Sequence, residues 1–199
     1  MEQHKIAVVV GSLRAGSLNR KLAKAFCGLA SGELDCKIAE IGDLPLYNED
    51  IDKQPPQSWT RFREEIKAAD GVLFVTPEYN RSMPGGLKNA IDVGSRPYGG
   101  SAFAKKPAGV VTASPGGIGG FGCNHALRQC CVFLDMPVMQ QPEAYFGGVT
   151  DAKFGPDGAI VDDGLRKIAT GFAHAFADWV RTIKLARAAR APDPTGAGA

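Results

Sequence analysis

The stretch that decides the fold is residues 6–29, IAVVVGSLRAGSLNRKLAKAFCGL. It opens on five apolar residues, Ile6–Val10, with no polar alternation. A strand that reads this way is buried on both faces, as in a parallel sheet between helical layers. Glycine and serine then break the pattern, and Leu18, Leu22, Phe26 and Leu29 recur every three to four residues. That spacing lays one apolar stripe along a helix. Strand, glycine-containing loop and amphipathic helix make the first half of a βαβ unit.

The same reading extends along the chain. Gly71–Thr76 and Ala108–Ala113 are further continuous apolar runs, with Lys37–Ile41 and Met136–Met139 as weaker strands, the last interrupted by Pro137. Helical stripes lie between them: Trp59, Phe62 and Ile66; Leu87, Ala90 and Ile91; Leu127, Cys130, Cys131 and Leu134. Leu165, Ile168, Phe172, Phe176, Trp179 and Ile183 form the last. Five strands alternating with five helices imply an α/β doubly wound sheet, since parallel neighbours require crossovers. The flavodoxin-like five-stranded parallel order 2-1-3-4-5, with helices on both faces, is the leading arrangement. Residues 1–185 are expected to form one domain and 186–199 (ARAARAPDPTGAGA) a disordered tail.

Composition narrows the function classes. The 199 residues are 44% hydrophobic and 22% charged, with a net charge of +2. Lys184, Arg187 and Arg190 are the nearest approach to a basic cluster, so binding driven by phosphate neutralisation of nucleic acid is not expected. No apolar run approaches the ~20 residues of a membrane span, and Ile6–Val10 is too short for a signal-peptide core. A cytoplasmic location is the expectation. Five cysteines without C-x-x-C spacing argue against zinc and against a disulfide framework. Adjacent Cys130 and Cys131 read as small apolar helix residues. His4, His125 and His174 are scattered, and no metal site is expected.

Ligands of doubly wound sheets bind beyond the carboxyl ends of the strands, where strand order reverses. Three segments of unusual composition should meet there. Gly11–Asn19 offers hydroxyl and amide side chains (Ser12, Ser17, Asn19), Arg14 and a helix N-terminus, the donors that an anion such as phosphate requires. It lacks the Gly-Lys-Ser/Thr of a Walker loop and the G-x-G-x-x-G of a pyrophosphate site. Thr76–Asn89 carries Tyr79 and many polar residues on a loop ahead of Pro84, which is placed in the first turn of the next helix. Gly116–Gly122 holds five glycines in seven positions, which points to close backbone approach.

GSLRAGSLNRKLA, LPLYNED (44–50), TPEYNRSMPGGLKNAID (76–92) and the glycine run after Ser114 resemble the NADPH-dependent FMN reductase family, in its bacterial chromate and quinone reductase branch. The resemblance spans roughly residues 5–185. It implies bound FMN, oxidation of NADPH or NADH, and assembly as a homodimer or homotetramer. It places Ser12, Arg14, Ser17, Leu18 and Asn19 at the FMN phosphate. It places Pro77, Glu78, Tyr79, Asn80 and Ser82 along the isoalloxazine, with Ser114, Gly116 and Gly117 closing the other edge. The flavin carries the chemistry and no catalytic side chain is required; acceptors would be quinones and metal oxyanions such as chromate. Arg81 stands where relatives often carry a smaller or aromatic residue. A flavodoxin-type electron carrier, usually strongly acidic, fits the slightly basic chain less well. An azo or organoarsenical reductase on the same fold remains an alternative.

Overall fold

The computed structural model describes residues 3–189. Its elements run β1 (His4–Val10), α1 (Leu18–Leu29), β2 (Leu34–Ala39), α2 (Gln57–Ala68), β3 (Gly71–Thr76), α3 (Gly85–Gly94), β4 (Ala108–Ala113), α4 (Phe121–Phe133), β5 (Ala144–Phe146) and α5 (Asp163–Ala188). All neighbouring strands pair parallel, in the order β2-β1-β3-β4-β5. Order therefore reverses between β1 and β3.

Period-2 alternation divides each central strand between two cores. Ile6, Val8 and Val10 join Leu73, Val75 and Val111 beneath α1 and α5. Ala7 and Val9 join Val72, Phe74 and Val110 beneath α2, α3 and α4. Both sides are apolar because both are covered. On the second side Phe103 packs against Phe62 and Phe74, with ring centroids 6.3 and 6.1 Å apart. Burying such a ring stabilises by roughly 1.5–3 kcal/mol, well above the ~0–1 kcal/mol of an exposed ion pair such as Lys88–Asp92. Gly94 is required at this contact: a Cβ there would lie 2.4 Å from Phe103.

Several expectations change, and the second strand is Leu34–Ala39 rather than Lys37–Ile41. The fifth strand is Ala144–Phe146, not Met136–Met139. The latter segment makes one parallel bridge, Ala108 to Val138, and Pro137 has no N–H to extend it. Pro84 occupies the N-cap of α3, and the helix begins at Gly85. Ile168 faces outward; Ala169 takes its place in the buried stripe of α5. Residues 186–188 continue α5 rather than beginning a tail, while residues 190–199 lie outside the described residues. Among the described residues, no helix is long and apolar enough to cross a membrane.

Candidate functional site

The loops after β1, β3 and β4 emerge side by side at the carboxyl edge of the sheet. A Cβ on Gly11 would sit 2.1 Å from Thr76 Oγ1, so glycine lets the ends of β1 and β3 close together. From there the first loop turns into α1. Ser17 caps the helix, its Oγ accepting from the Arg20 amide at 3.1 Å. Among the described residues, the amides of 12–16, Leu18 and Asn19 donate to no protein acceptor. Free amides at a helix N-terminus, with no acidic residue in the first turn, are the groups that can hold an anion.

The polar side chains of this loop do not act alike. Ser12, Ser17 and Asn19 are buried. Asn19 Nδ2 donates to the Ala113 carbonyl at 3.1 Å, tying the head of α1 to the end of β4. Its Oδ1 is buried without a partner. Arg14 is exposed and reaches only the Gly16 carbonyl, at 2.7 Å. Nearby cations are engaged elsewhere, Arg20 with Glu40 and Lys21 with Asp151. Among the described residues, Arg14 is thus the cation left to face the loop.

The second segment is not an irregular loop but a tight hairpin. Tyr79 and Ser82 exchange both backbone hydrogen bonds at 2.9 Å, around Asn80 (φ 50°) and Arg81 (φ 65°). Two positive φ values in succession define a type I′ turn. Asn tolerates this region; Arg does so at a cost of about 1 kcal/mol or more. The asparagine was the only sequence signal for it. Glu78 anchors the hairpin, its Oε2 accepting from the Cys123 amide at 2.9 Å. Pro77 and Tyr79 border the strand end, and Tyr79 is half exposed.

The glycines of the third segment separate into two groups. A Cβ on Gly119 would lie 2.7 Å from Tyr145 backbone atoms, and one on Gly120 would lie 2.9 Å from Thr112. Both have positive φ. Gly120 thus packs on β4 and Gly119 on β5 and the residue just past it, Gly147, whose own would-be Cβ lies 2.4 Å from the Gly117 carbonyl. A Cβ on Gly117 meets nothing within 4 Å, and one on Gly116 meets only Ser114 Oγ. Only this second pair borders open space. Sequence reading missed Phe121 and Tyr145, whose rings pack edge to face at 5.4 Å beside this loop; neither carries a motif signal. Surface concavities also lie away from these loops, one under α2 (Asp35, Lys37, Arg61), one beside α5 (Lys105, Met136, Ile183) and one beside α1 (Lys24, Gly28, Ile160).

The chain is similar to known proteins in sequence and fold. A family model described as NADPH-dependent FMN reductase matches residues 4–151. A quinone reductase of Pseudomonas putida is 60% identical over 179 residues, 89% of this chain and 95% of the relative. A 2-hydroxy-1,4-benzoquinone reductase of a Burkholderia species is 45% identical over 89% of this chain and 96% of its own. Among solved structures, the flavoenzyme NAD(P)H:(acceptor) oxidoreductase FerB of Paracoccus denitrificans superposes with a TM-score of 0.86 at 42% identity, covering 90% of this chain and 98% of its own.

Proposed function

Since the chain belongs to the NADPH-dependent FMN reductase family, we propose that it works as a quinone reductase whose acceptor docks at the mouth formed by the three loops. It is an FMN-dependent enzyme that oxidises NAD(P)H. Bound FMN supplies a ring that takes hydride from the nicotinamide and passes two electrons to the acceptor. The protein's task is to hold, orient and shield that ring.

The residues fit the group. The single observation that carries the reading is the row of unpartnered amides at the head of α1, flanked by Arg14 and matched in charge and shape to a phosphate monoester. Ser12, Ser17, Leu18 and Asn19 complete this cradle, and the orphaned Asn19 Oδ1 offers an acceptor to a sugar-chain hydroxyl. The Pro77–Ser82 hairpin would border one edge of the ring with backbone groups, held rigid by the Glu78–Cys123 bond. Ser114, Gly116 and Gly117 leave room for the other edge. Quinones are favoured as acceptors by the names of the two curated relatives. Reduction of metal oxyanions such as chromate, a cytoplasmic location and a homodimer or homotetramer extend the same reading. Phe103 anchors the 98–106 loop in the core while Tyr98 stays 93% exposed, as a contact with a second copy would use it.

The test is the visible spectrum of purified protein, followed by anaerobic mixing with NADH, with NADPH and then with a quinone. We expect a yellow protein, bleached by a nicotinamide and recoloured by the quinone, with parallel-line initial-rate plots. Colour that persists under excess of both nicotinamides would instead favour an electron carrier served by protein partners.

A further inference from the structure

Two cysteines nine positions apart in the sequence meet in the fold. Alternation along β2 sends Leu34, Cys36 and Ile38 toward the face covered by α1 and α5, and Cys27 lies on the flank of the α1 stripe that lines this face. The two thiols lie near enough for each to shift the ionisation of the other. Both line a crevice with Phe26, Leu34, Leu73 and Phe172 that is too narrow for a water molecule. Yet both residues are only partly buried, which leaves an edge open to a small solute. The remaining cysteines differ: burial pushes the Cys123 and Cys131 thiols up to about 12, and burial also raises Cys130.

We propose that Cys27 and Cys36 are an oxidative modification site, a dithiol that hydrogen peroxide converts to a disulfide joining the last turn of α1 to the edge strand β2. The asymmetry of the pair assigns the roles. The neighbouring Cys36 thiol favours the Cys27 thiolate and lowers its pKa from the ordinary thiol value, while Cys36 itself is raised. The Cys27 thiolate attacks one peroxide oxygen, the O–O bond breaks, and the departing hydroxide is protonated to water. Cys27 is left as a sulfenic acid. The Cys36 sulfur then attacks the Cys27 sulfur, the S–O bond breaks, and the oxygen leaves with the Cys36 proton as a second water. The two sulfurs lose two electrons, and the peroxide takes both. The product closes the 27–36 segment and pins the edge strand β2 to α1.

The experiment treats the holoprotein with a modest excess of hydrogen peroxide, without nicotinamide, so that turnover generates no oxidant. We expect the loss of two hydrogen atoms by intact mass, a Cys27–Cys36 linked peptide, reversal by dithiothreitol and a melting temperature several degrees higher after oxidation. Cys36→Ser should stop at a Cys27 sulfenic acid that dimedone captures. Cys27→Ala, checked for folding by circular dichroism, should slow oxidation at Cys36 by about tenfold or more, because the activated thiolate is gone. A parent protein that keeps all five thiols, a link through another cysteine, or a Cys27→Ala variant oxidised at Cys36 at the parent rate would each overturn the proposal.

Discussion

The Glu78 carboxylate accepts a hydrogen bond from the Cys123 amide at 2.9 Å, joining the hairpin after β3 to the first turn of α4. The bond places a negative charge at a helix N-terminus, where the dipole stabilises it. It also fixes the one strained turn of the site, since a Cβ on Gly122 would lie 3.0 Å from the Glu78 carboxylate and 3.1 Å from the Arg81 carbonyl. Glu78→Ala removes a charge-assisted bond, and we expect a loss of about 1.5–3 kcal/mol in urea unfolding. Glu78→Gln keeps an acceptor and should lose less than half of that. Equal losses would mean that the charge, and not the bond, holds the hairpin.

Arg14 and Asn19 should separate in FMN binding. Arg14 faces only its own loop, so Arg14→Ala should weaken FMN roughly ten- to a hundredfold, the equivalent of one charge-assisted bond. Riboflavin, which lacks the phosphate, should be nearly unaffected. Asn19 is a strut to Ala113, so Asn19→Ala should lower the melting temperature and weaken both ligands. Titration of FMN and riboflavin into the apoproteins decides. Equal harm to both ligands by Arg14→Ala would remove Arg14 from the phosphate site.

Gly117 and Gly147 face one another and should behave oppositely. Gly147→Ala forces a methyl to 2.4 Å from the Gly117 carbonyl, and thermal denaturation of the apoprotein should show a drop of several degrees. Gly117→Ala projects its methyl into open space, so the apoprotein should melt as the parent does. FMN affinity should fall, because the methyl stands where the ring edge would rest. Unchanged FMN affinity in Gly117→Ala would place the ring elsewhere.

Acid should weaken the LPLYNED segment at a defined point. Burial alone would raise the Asp52 pKa, but the Tyr47 hydroxyl and the Arg63 guanidinium hold it below the usual carboxylate range; the Arg63 contact is 2.7 Å. A folded pKa below the unfolded value of about 3.9 stabilises at pH values above 3.9, and that stability is lost as pH falls through the folded value. The stability gap between the parent and Asp52→Asn should therefore be constant near neutrality and shrink on acidification below about pH 4. A gap that stays constant to the acid limit of folding would show that Asp52 gains nothing from its partners' charges.

Amino-acid order alone determined much of this protein. Continuous apolar runs at Ile6–Val10, Gly71–Thr76 and Ala108–Ala113 have one physical outlet, a parallel sheet covered on both faces, and the helical stripes say what covers it. The three loops at the carboxyl edge follow from strand order, and the polar residues of the first, Ser12, Arg14, Ser17 and Asn19, stand out in the sequence. Periodicity reports burial, however, and burial is not pairing. Met136, Val138 and Met139 are buried as their apolarity demands, yet Pro137 has no N–H to extend the single bridge at Val138, and the ladder passes to Ala144–Phe146, three residues with little pattern to read. The tertiary structure alone separated the glycines that pack, 119, 120 and 147, from those that border open space, 116 and 117. It alone turned Asn19 into a strut and brought Cys27 against Cys36. Such contacts are set by elements distant along the chain, and no local spacing records which atoms a fold will bring within reach.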